Sequence, residues 1–200
     1  MLDYTIENEV TSEGYLNVCG VDEAGRGPLC GPVVAAAVIL PTGLYIEGLN
    51  DSKKLSESKR EKIFDIIIKE AVAYAICEAS VEEINSTDIL SASLLAMRRA
   101  ISSLSVPADY ALIDGNVTRG FELPCRAVIH GDAISPSIAA ASILAKVTRD
   151  RMCKELDEQY PMYGIAKHKG YGTKVHMEAL KKYGPAPIHR TKFIRFLNED

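Results

Sequence analysis

Apolar positions along this 200-residue chain fall into two patterns: short continuous runs, and longer stretches with helical spacing. Residues 15–22 and 31–40 are rich in small and β-branched residues, which predicts two strands. Pro41-Thr42-Gly43 predicts a turn, and Asn50-Asp51-Ser52-Lys53-Lys54 a polar loop. Ser56 is a helix cap, with Glu57 well placed in the first turn. That helix runs to about Glu70 and buries Ile63, Phe64, Ile67 and Ile68. A third strand is predicted over 71–79. Ile89, Leu90, Leu94, Met97 and Ile101 have the spacing of a helix over about 87–104. Residues 110–115 and 126–132 read as two short strands, each closing on an aspartate beside a glycine. Ser135-Pro136 opens a long helix, a cap followed by proline in the first turn, and Tyr160-Pro161 stops it. A last helix is predicted over 173–183. This order predicts an α/β fold, a mixed sheet with helices on both faces. Asp22, Asp114 and Asp132 would then meet at one sheet edge, where such folds place their sites.

An apolar content of 47% supports one large domain. The longest apolar run, 31–40, is broken by glycine and proline and too short to span a bilayer. The acidic N-terminus lacks the pattern of a signal peptide. Five scattered cysteines, with no Cys-x-x-Cys pair, read as free thiols in a reducing cytosol, and the expected location is cytoplasmic. The net charge of −4 argues against a nucleic-acid partner until it is divided. Residues 1–162 carry 15 Lys/Arg and 24 Asp/Glu, a net of −9, whereas residues 163–200 carry 8 and 3, a net of +5. A local basic patch matters more for binding nucleic acid than the overall sum.

The candidate chemistry begins at Asp22-Glu23-Ala24-Gly25-Arg26-Gly27. Carboxylates at the mouth of a core strand are costly to desolvate, and a bound divalent metal is one compensation. Glycines let the backbone approach a ligand closely. The alternative is a polar strand end followed by a turn. Asp22, Glu23, Asp114 and Asp132 are hard oxygen donors suited to Mg²⁺ or Mn²⁺. Alternation along a strand should point Asp22 and Glu23 oppositely, so both serve one site only where the strand twists or ends. No phosphate-binding P-loop, nucleophile elbow or zinc-protease helix occurs. His168 and His176, eight apart on different elements, read as solvent-facing rather than as a metal pair. In His168-Lys169-Gly170-Tyr171-Gly172-Thr173, a tyrosine between glycines offers a flat face for a sugar or base, with charges for phosphates. The alternative is that Tyr171 packs onto the core.

These motifs together resemble ribonuclease HII. The resemblance is carried by Asp22–Gly27, Gly31–Ala37, Asp51-Ser52-Lys53, Asp114-Gly115, Gly131-Asp132, Ala139–Asp150, His168–Thr173 and Pro187–Arg190, in the family's order. It implies a ribonuclease H-like fold: a five-stranded mixed sheet flanked by helices, with a small C-terminal helical part. It divides the chain into a catalytic domain, 1–160, and a basic helical extension, 161–200, packed on it. It implies a two-metal-ion endonuclease using Mg²⁺ or Mn²⁺; a monomer with no membrane partner is expected. Such an enzyme hydrolyses the RNA strand of RNA·DNA hybrids and nicks 5′ of single ribonucleotides in duplex DNA. The ends left are 3′-hydroxyl and 5′-phosphate. The four acids would be both catalytic and metal-binding. Substrate contacts fall on Gly25, Arg26, Gly27, Ser52, Lys53, Lys146, Arg149, Lys169 and Tyr171. Gly25-Arg26-Gly27 would contact the ribose 2′-OH and Tyr171 stack on the following deoxyribose. His130 stands where the family often has lysine. Ribonuclease HIII differs in usually carrying an extra N-terminal domain and a lysine in place of Arg26. A non-catalytic nucleic-acid module would not need four strand-end acids. Another metal nuclease or an integrase would not need Gly25-Arg26-Gly27 or Tyr171.

Overall fold

The structure is a computed structural model that describes residues 2–50, 52 and 55–198. Its elements in chain order are α1 (Thr5–Ser12), β1 (Val18–Ala24), β2 (Val33–Ile39), α2 (Glu57–Glu70), β3 (Ala73–Ala79), α3 (Val81–Ser86) and α4 (Ile89–Ser102). Then come β4 (Tyr110–Asp114), β5 (Cys125–Val128), α5 (Pro136–Gln159), α6 (Ile165–His168) and α7 (Lys174–Tyr183). The strands form one mixed sheet in the order β3-β2-β1-β4-β5. Pairing is antiparallel through β3, β2 and β1, and parallel from β1 through β4 to β5.

The two-residue period of the strands sorts side chains to two cores. Cys19, Val21, Val33, Ala35 and Ala37 pack with Ala92, Ala96, Met97 and Ala100 of α4. Ala36 and Val38 face Ala140, Ala141, Ile143 and Leu144 of α5, with Ile63, Phe64 and Ile67 of α2 behind them. Alanines dominate where α5 crosses the sheet, so the helix lies close to β1. At Gly20 a β-carbon would stand 2.1 Å from the carbonyl carbon of Ser137, so only glycine allows that approach. A third apolar cluster, including Cys30, Cys153, Tyr163, Ile165, Leu180 and Ile194, seats the C-terminal helices.

The predicted helix starts at Ser56, Ser135 and Thr173 are all made by side-chain caps: each side chain accepts from the amide three residues on. Three points differ from expectation. Helix α1 was not predicted; it packs Val10 beside Val18 and Leu112. Its Glu7 accepts from Ser135 Oγ at 2.6 Å and the Ser137 amide at 3.2 Å, where a carboxylate meets the positive end of α5. The predicted helix over 87–104 is preceded by a separate short helix, α3, closed by a reciprocal Ser80/Glu83 capping box. The strand predicted over 126–132 stops at Val128. Its one ladder partner among the described residues, β4, ends at Asp114, opposite Val128. The chain then turns through His130 at φ 57°, so Asp132 lies on a 3₁₀ turn, Gly131–Ala133, rather than at a strand end.

Candidate active site

Strand β1 outruns its parallel neighbour. Its last pair with β4 is Val21–Ile113, while its pairing with β2 continues through Asp22, Glu23 and Ala24. Asp22 and Glu23 therefore stand beside the C-terminal end of β4 with one flank open. They do point to opposite faces, as alternation requires. Asp22 lies on the α5 face, buried to 5% exposure and hydrogen-bonded to Ser142. Glu23 lies on the α4 face, sharing a hollow with Leu90, Met97 and Asp114. They reach one site because the strand ends there: the Asp22 carboxylate accepts from the Glu23 amide at 2.7 Å.

Three acids lie close enough for their charges to act on one another. Burial pushes the Asp22 carboxyl well above the ordinary carboxylate range, and the charges of Glu23 and Asp114 push it further. Burial also raises Glu23; the Arg26 guanidinium, 3.3 Å away, opposes this, and Asp114 reinforces it. Asp114 accepts from the Gly131 amide at 2.8 Å, which draws the turn carrying the buried Asp132 to the end of β4. Mutually repelling, largely desolvated carboxylates form a hard oxygen donor set that a divalent cation would neutralise.

The cleft beside these acids has a volume of about 290 Å³. Asp22, Glu23, Gly25, Arg26 and Gly27 line one side, and Ser52, Lys146, Arg149 and Tyr171 the other. Asp114 adjoins through the hollow that contains Glu23 and Arg26. Tyr171 is 49% exposed at the rim, so it does not pack into the core, and its ring lies against Gly27. Ser52 is buried and pairs its hydroxyl with that of Ser142 at 2.9 Å, linking the 50s loop to Asp22. Lys146 is held by Asp150 at 2.7 Å. Arg149 borders the cleft, but its guanidinium donates to the carbonyls of Cys30, Pro32 and Lys169. Lys169 does not line the cleft; its charge acts on Glu57 at the start of α2. Lys53 lies outside the described residues.

The solvent-facing reading of the histidines is wrong for His176. It is fully buried, stacks on His168 at 4.5 Å and meets His189 Nε2 at 3.1 Å through its own Nε2. Its Nδ1 faces the Tyr171 carbonyl, a hydrogen bond in which Nδ1–H donates. The His176 Nε2 then accepts from His189, whose Nδ1 accepts from the Ala186 amide. Among the described residues, Cys30, His176 and His189 have ligand atoms within 4.8 Å of one another. A dication there would sit near the buried Arg149 and Arg190, whose charges already act on Cys30. The neutral, fully hydrogen-bonded histidine pair is the better account.

A sequence model of the family described as Ribonuclease HII matches residues 19–196, which span the acids, the cleft and the C-terminal helices. The chain belongs to the ribonuclease HII family. It is 53% identical over 187 residues to a ribonuclease HII of Desulfitobacterium hafniense (strain DSM 10664 / DCB-2), covering 94% of this chain and 72% of that relative. The crystal structure of the ribonuclease H2 from Pyrococcus horikoshii OT3 matches it with a TM-score of 0.77 at 29% identity, over 92% of this chain and 98% of that one. The fold is thus the α/β ribonuclease H-like fold, and the protein is a ribonuclease H hydrolase. Bst-RNase HIII, in a structure with Mn²⁺, shares the fold with a TM-score of 0.64 at 19% identity; this chain covers 64% of its length. Among the described residues, no helix is long and apolar enough to cross a membrane.

For a ribonuclease HII, two cleft features were missed from sequence. Ser142 lies within a run of small residues that signals only close packing. Arg190 lies in a basic tail, where nothing local marks it as buried. Its spacing from the cleft loop, more than 150 residues, hides the contact from any local pattern.

Proposed function

We propose that this ribonuclease HII hydrolyses the RNA strand of RNA·DNA hybrids and nicks 5′ of single ribonucleotides embedded in duplex DNA. The ends left are 3′-hydroxyl and 5′-phosphate. The observation that carries this reading is the gathering of Asp22, Glu23 and Asp114, where the charge of Asp114 acts on both Asp22 and Glu23, beside the Gly25-Arg26-Gly27 loop and Tyr171. Asp22, Glu23, Asp114 and Asp132 would hold Mg²⁺ or Mn²⁺. Such ions supply Lewis-acid stabilisation of the attacking and leaving oxygens of a phosphodiester and lower the pKa of a bound water. The donor set fits them, because burial raises the Asp22 and Glu23 carboxyls and a divalent cation would stabilise their charged forms.

The chain's own groups supply position. The 2′-OH both donates and accepts a hydrogen bond and is the one difference between ribose and deoxyribose at the sugar. The loop of Gly25, Arg26 and Gly27 brings backbone groups to the cleft wall without side-chain obstruction. Tyr171, resting on Gly27, offers its ring to the next sugar. Ser52, Lys53, Lys146, Arg149 and Lys169 stand as supporting contacts, with Arg149 acting through the loop that it holds. Residues 1–160 make the catalytic unit and 161–200 an extension that completes the cleft by supplying Tyr171. The five free cysteines suit a reducing cytoplasm.

The test is cleavage of a duplex with one ribonucleotide, set beside a uniform hybrid and an all-DNA duplex, each with Mg²⁺, with Mn²⁺ and with chelator. Metal-dependent nicking of the first two and none of the third supports the reading. A nucleic-acid module would bind without cutting. Another metal nuclease would cut DNA as well.

A further inference from the structure

Arg190 follows α7 and its side chain is fully buried under the loop that leaves β1. Burial and the neighbouring Arg149 charge both disfavour its cationic form. Its compensation is a set of five backbone carbonyls. Nε donates to Gly31 O at 2.9 Å. Nη1 donates to Arg26 O at 3.1 Å and Pro28 O at 2.9 Å. Nη2 donates to Gly25 O at 2.7 Å and Pro32 O at 3.1 Å. A guanidinium has five N–H groups, and each has a carbonyl here.

This arrangement sets the loop's orientation as well as its place. The peptides are trans, so each C=O points opposite to the N–H of the next residue. With the Gly25 and Arg26 carbonyls turned to Arg190, the amides of Arg26 and Gly27 point the other way. Backbone bonds hold the adjoining segment: Arg190 N to Leu29 O, Gly31 N to Ile188 O and Leu29 N to Gly170 O, each 2.8 Å. Gly25, Gly27 and Gly31 would otherwise leave this loop soft. Lysine cannot stand in, because its ammonium is a single point with three donors.

We propose that Arg190 is a positioning residue for ribose recognition. It fixes Gly25-Arg26-Gly27 through the carbonyls of Gly25, Arg26 and Pro28, so its loss weakens the reading of a ribonucleotide more than the grip on duplex backbone. The inference rests on the ribose-reading role proposed above for that loop.

The test compares Arg190→Lys and Arg190→Gln with wild type and with Leu180→Ala, a core variant in the neighbouring apolar cluster. Three quantities are measured well below each melting temperature: kcat/KM on a duplex with one ribonucleotide, kcat/KM on a uniform hybrid, and Ki of an all-DNA duplex as competitor. A misplacement of about 1 Å in a reacting geometry costs about 10²-fold. Both Arg190 variants should lose about that factor on the single ribonucleotide while Ki stays within about threefold. Leu180→Ala should lose stability without changing the ratio. The proposal is overturned when Arg190→Lys keeps wild-type kcat/KM, or when kcat/KM and Ki worsen together. Wild type provides an independent arm: nitrogen-15 NMR of arginine side chains should show five slowly exchanging guanidinium protons for Arg190. Fast exchange or averaging there overturns the proposal even where the variants fail to fold. Should wild type itself not nick the single ribonucleotide, the failure belongs to the ribose-reading role and not to Arg190.

Discussion

Gly25→Ala should be among the most damaging small substitutions in this enzyme, for two reasons that add. Gly25 adopts φ +102°, which residues with a β-carbon rarely take. Forcing that conformation costs roughly 1–3 kcal/mol. The new β-carbon would also stand 2.0 Å from Nε and 2.4 Å from Cδ of Arg149. Arg149 is 2% exposed and cannot swing into solvent. Its N–H groups donate to Lys169 O at 3.0 Å and to Pro32 O and Cys30 O at 3.3 Å. A hydrogen bond from a charged group is worth about 1.5–3 kcal/mol. Breaking one brings the total to roughly 2.5–6 kcal/mol. For a chain of this length that corresponds to a melting-temperature loss of about 5–24 °C. Thermal unfolding of wild type, Gly25→Ala, Arg149→Ala and the double variant measures it. The double variant should be less damaged than the sum of the singles, because removing Arg149 removes the clash. A Gly25→Ala shift under 2 °C with normal cleavage, or full additivity of the pair, would refute the reasoning.

Tyr171→Ala should slow nicking at a lone ribonucleotide far more than cleavage of a uniform hybrid, whereas Tyr171→Phe should do little; equal slowing of both substrates by Tyr171→Ala would make the ring a general binding group. Neutralising Lys167, Lys169 and Lys174 together should weaken duplex binding similarly across sequences and flatten the log–log salt slope by about one unit for each phosphate no longer neutralised. An unchanged slope would place these lysines away from the duplex. Burial lowers the His189 pKa to about 4, against an unfolded value near 6.5. The unfolded chain therefore takes up a proton that the fold excludes, so this contribution to stability is lost as pH falls from about 6.5 to 4, at up to about 1.4 kcal/mol per pH unit. The raised acids act in the opposite sense, so His189→Asn is the reference: denaturant melts should show a shallower acid-side loss for the variant, and identical slopes would remove His189 from the account.

The sheet was legible because its strands are short and apolar and its helix starts carry caps at Ser56, Ser135 and Thr173. The position of Asp22 and Glu23 was legible as a problem, since alternation forbids a shared face. The structure resolves it by ending the β1–β4 pairing at Val21, so that both acids stand at an open strand flank. Asp132 was misplaced because a strand's end depends on its partner's length, and β5 stops where β4 does. Helix α1 went unread because its stability rests on distant groups, with Glu7 reaching the start of α5. His176 was misread, and the burial of Arg190 went unread, for a related reason. Their charge-bearing types suggest solvent, yet long-range carbonyls and a second histidine satisfy them in the interior.

The most direct measurement is single-turnover cleavage of a duplex holding one ribonucleotide, with the break position and end groups mapped, for wild type, Asp22→Asn and Asp114→Asn. The substitutions keep side-chain shape and remove ligand charge. The account predicts a Mg²⁺- or Mn²⁺-dependent nick 5′ of the ribonucleotide by wild type, with 3′-hydroxyl and 5′-phosphate ends, and loss of cleavage in both folded variants while much of the binding remains. Metal-independent cutting, a 2′,3′-cyclic phosphate end, or full activity of either variant at the same metal concentration would contradict it.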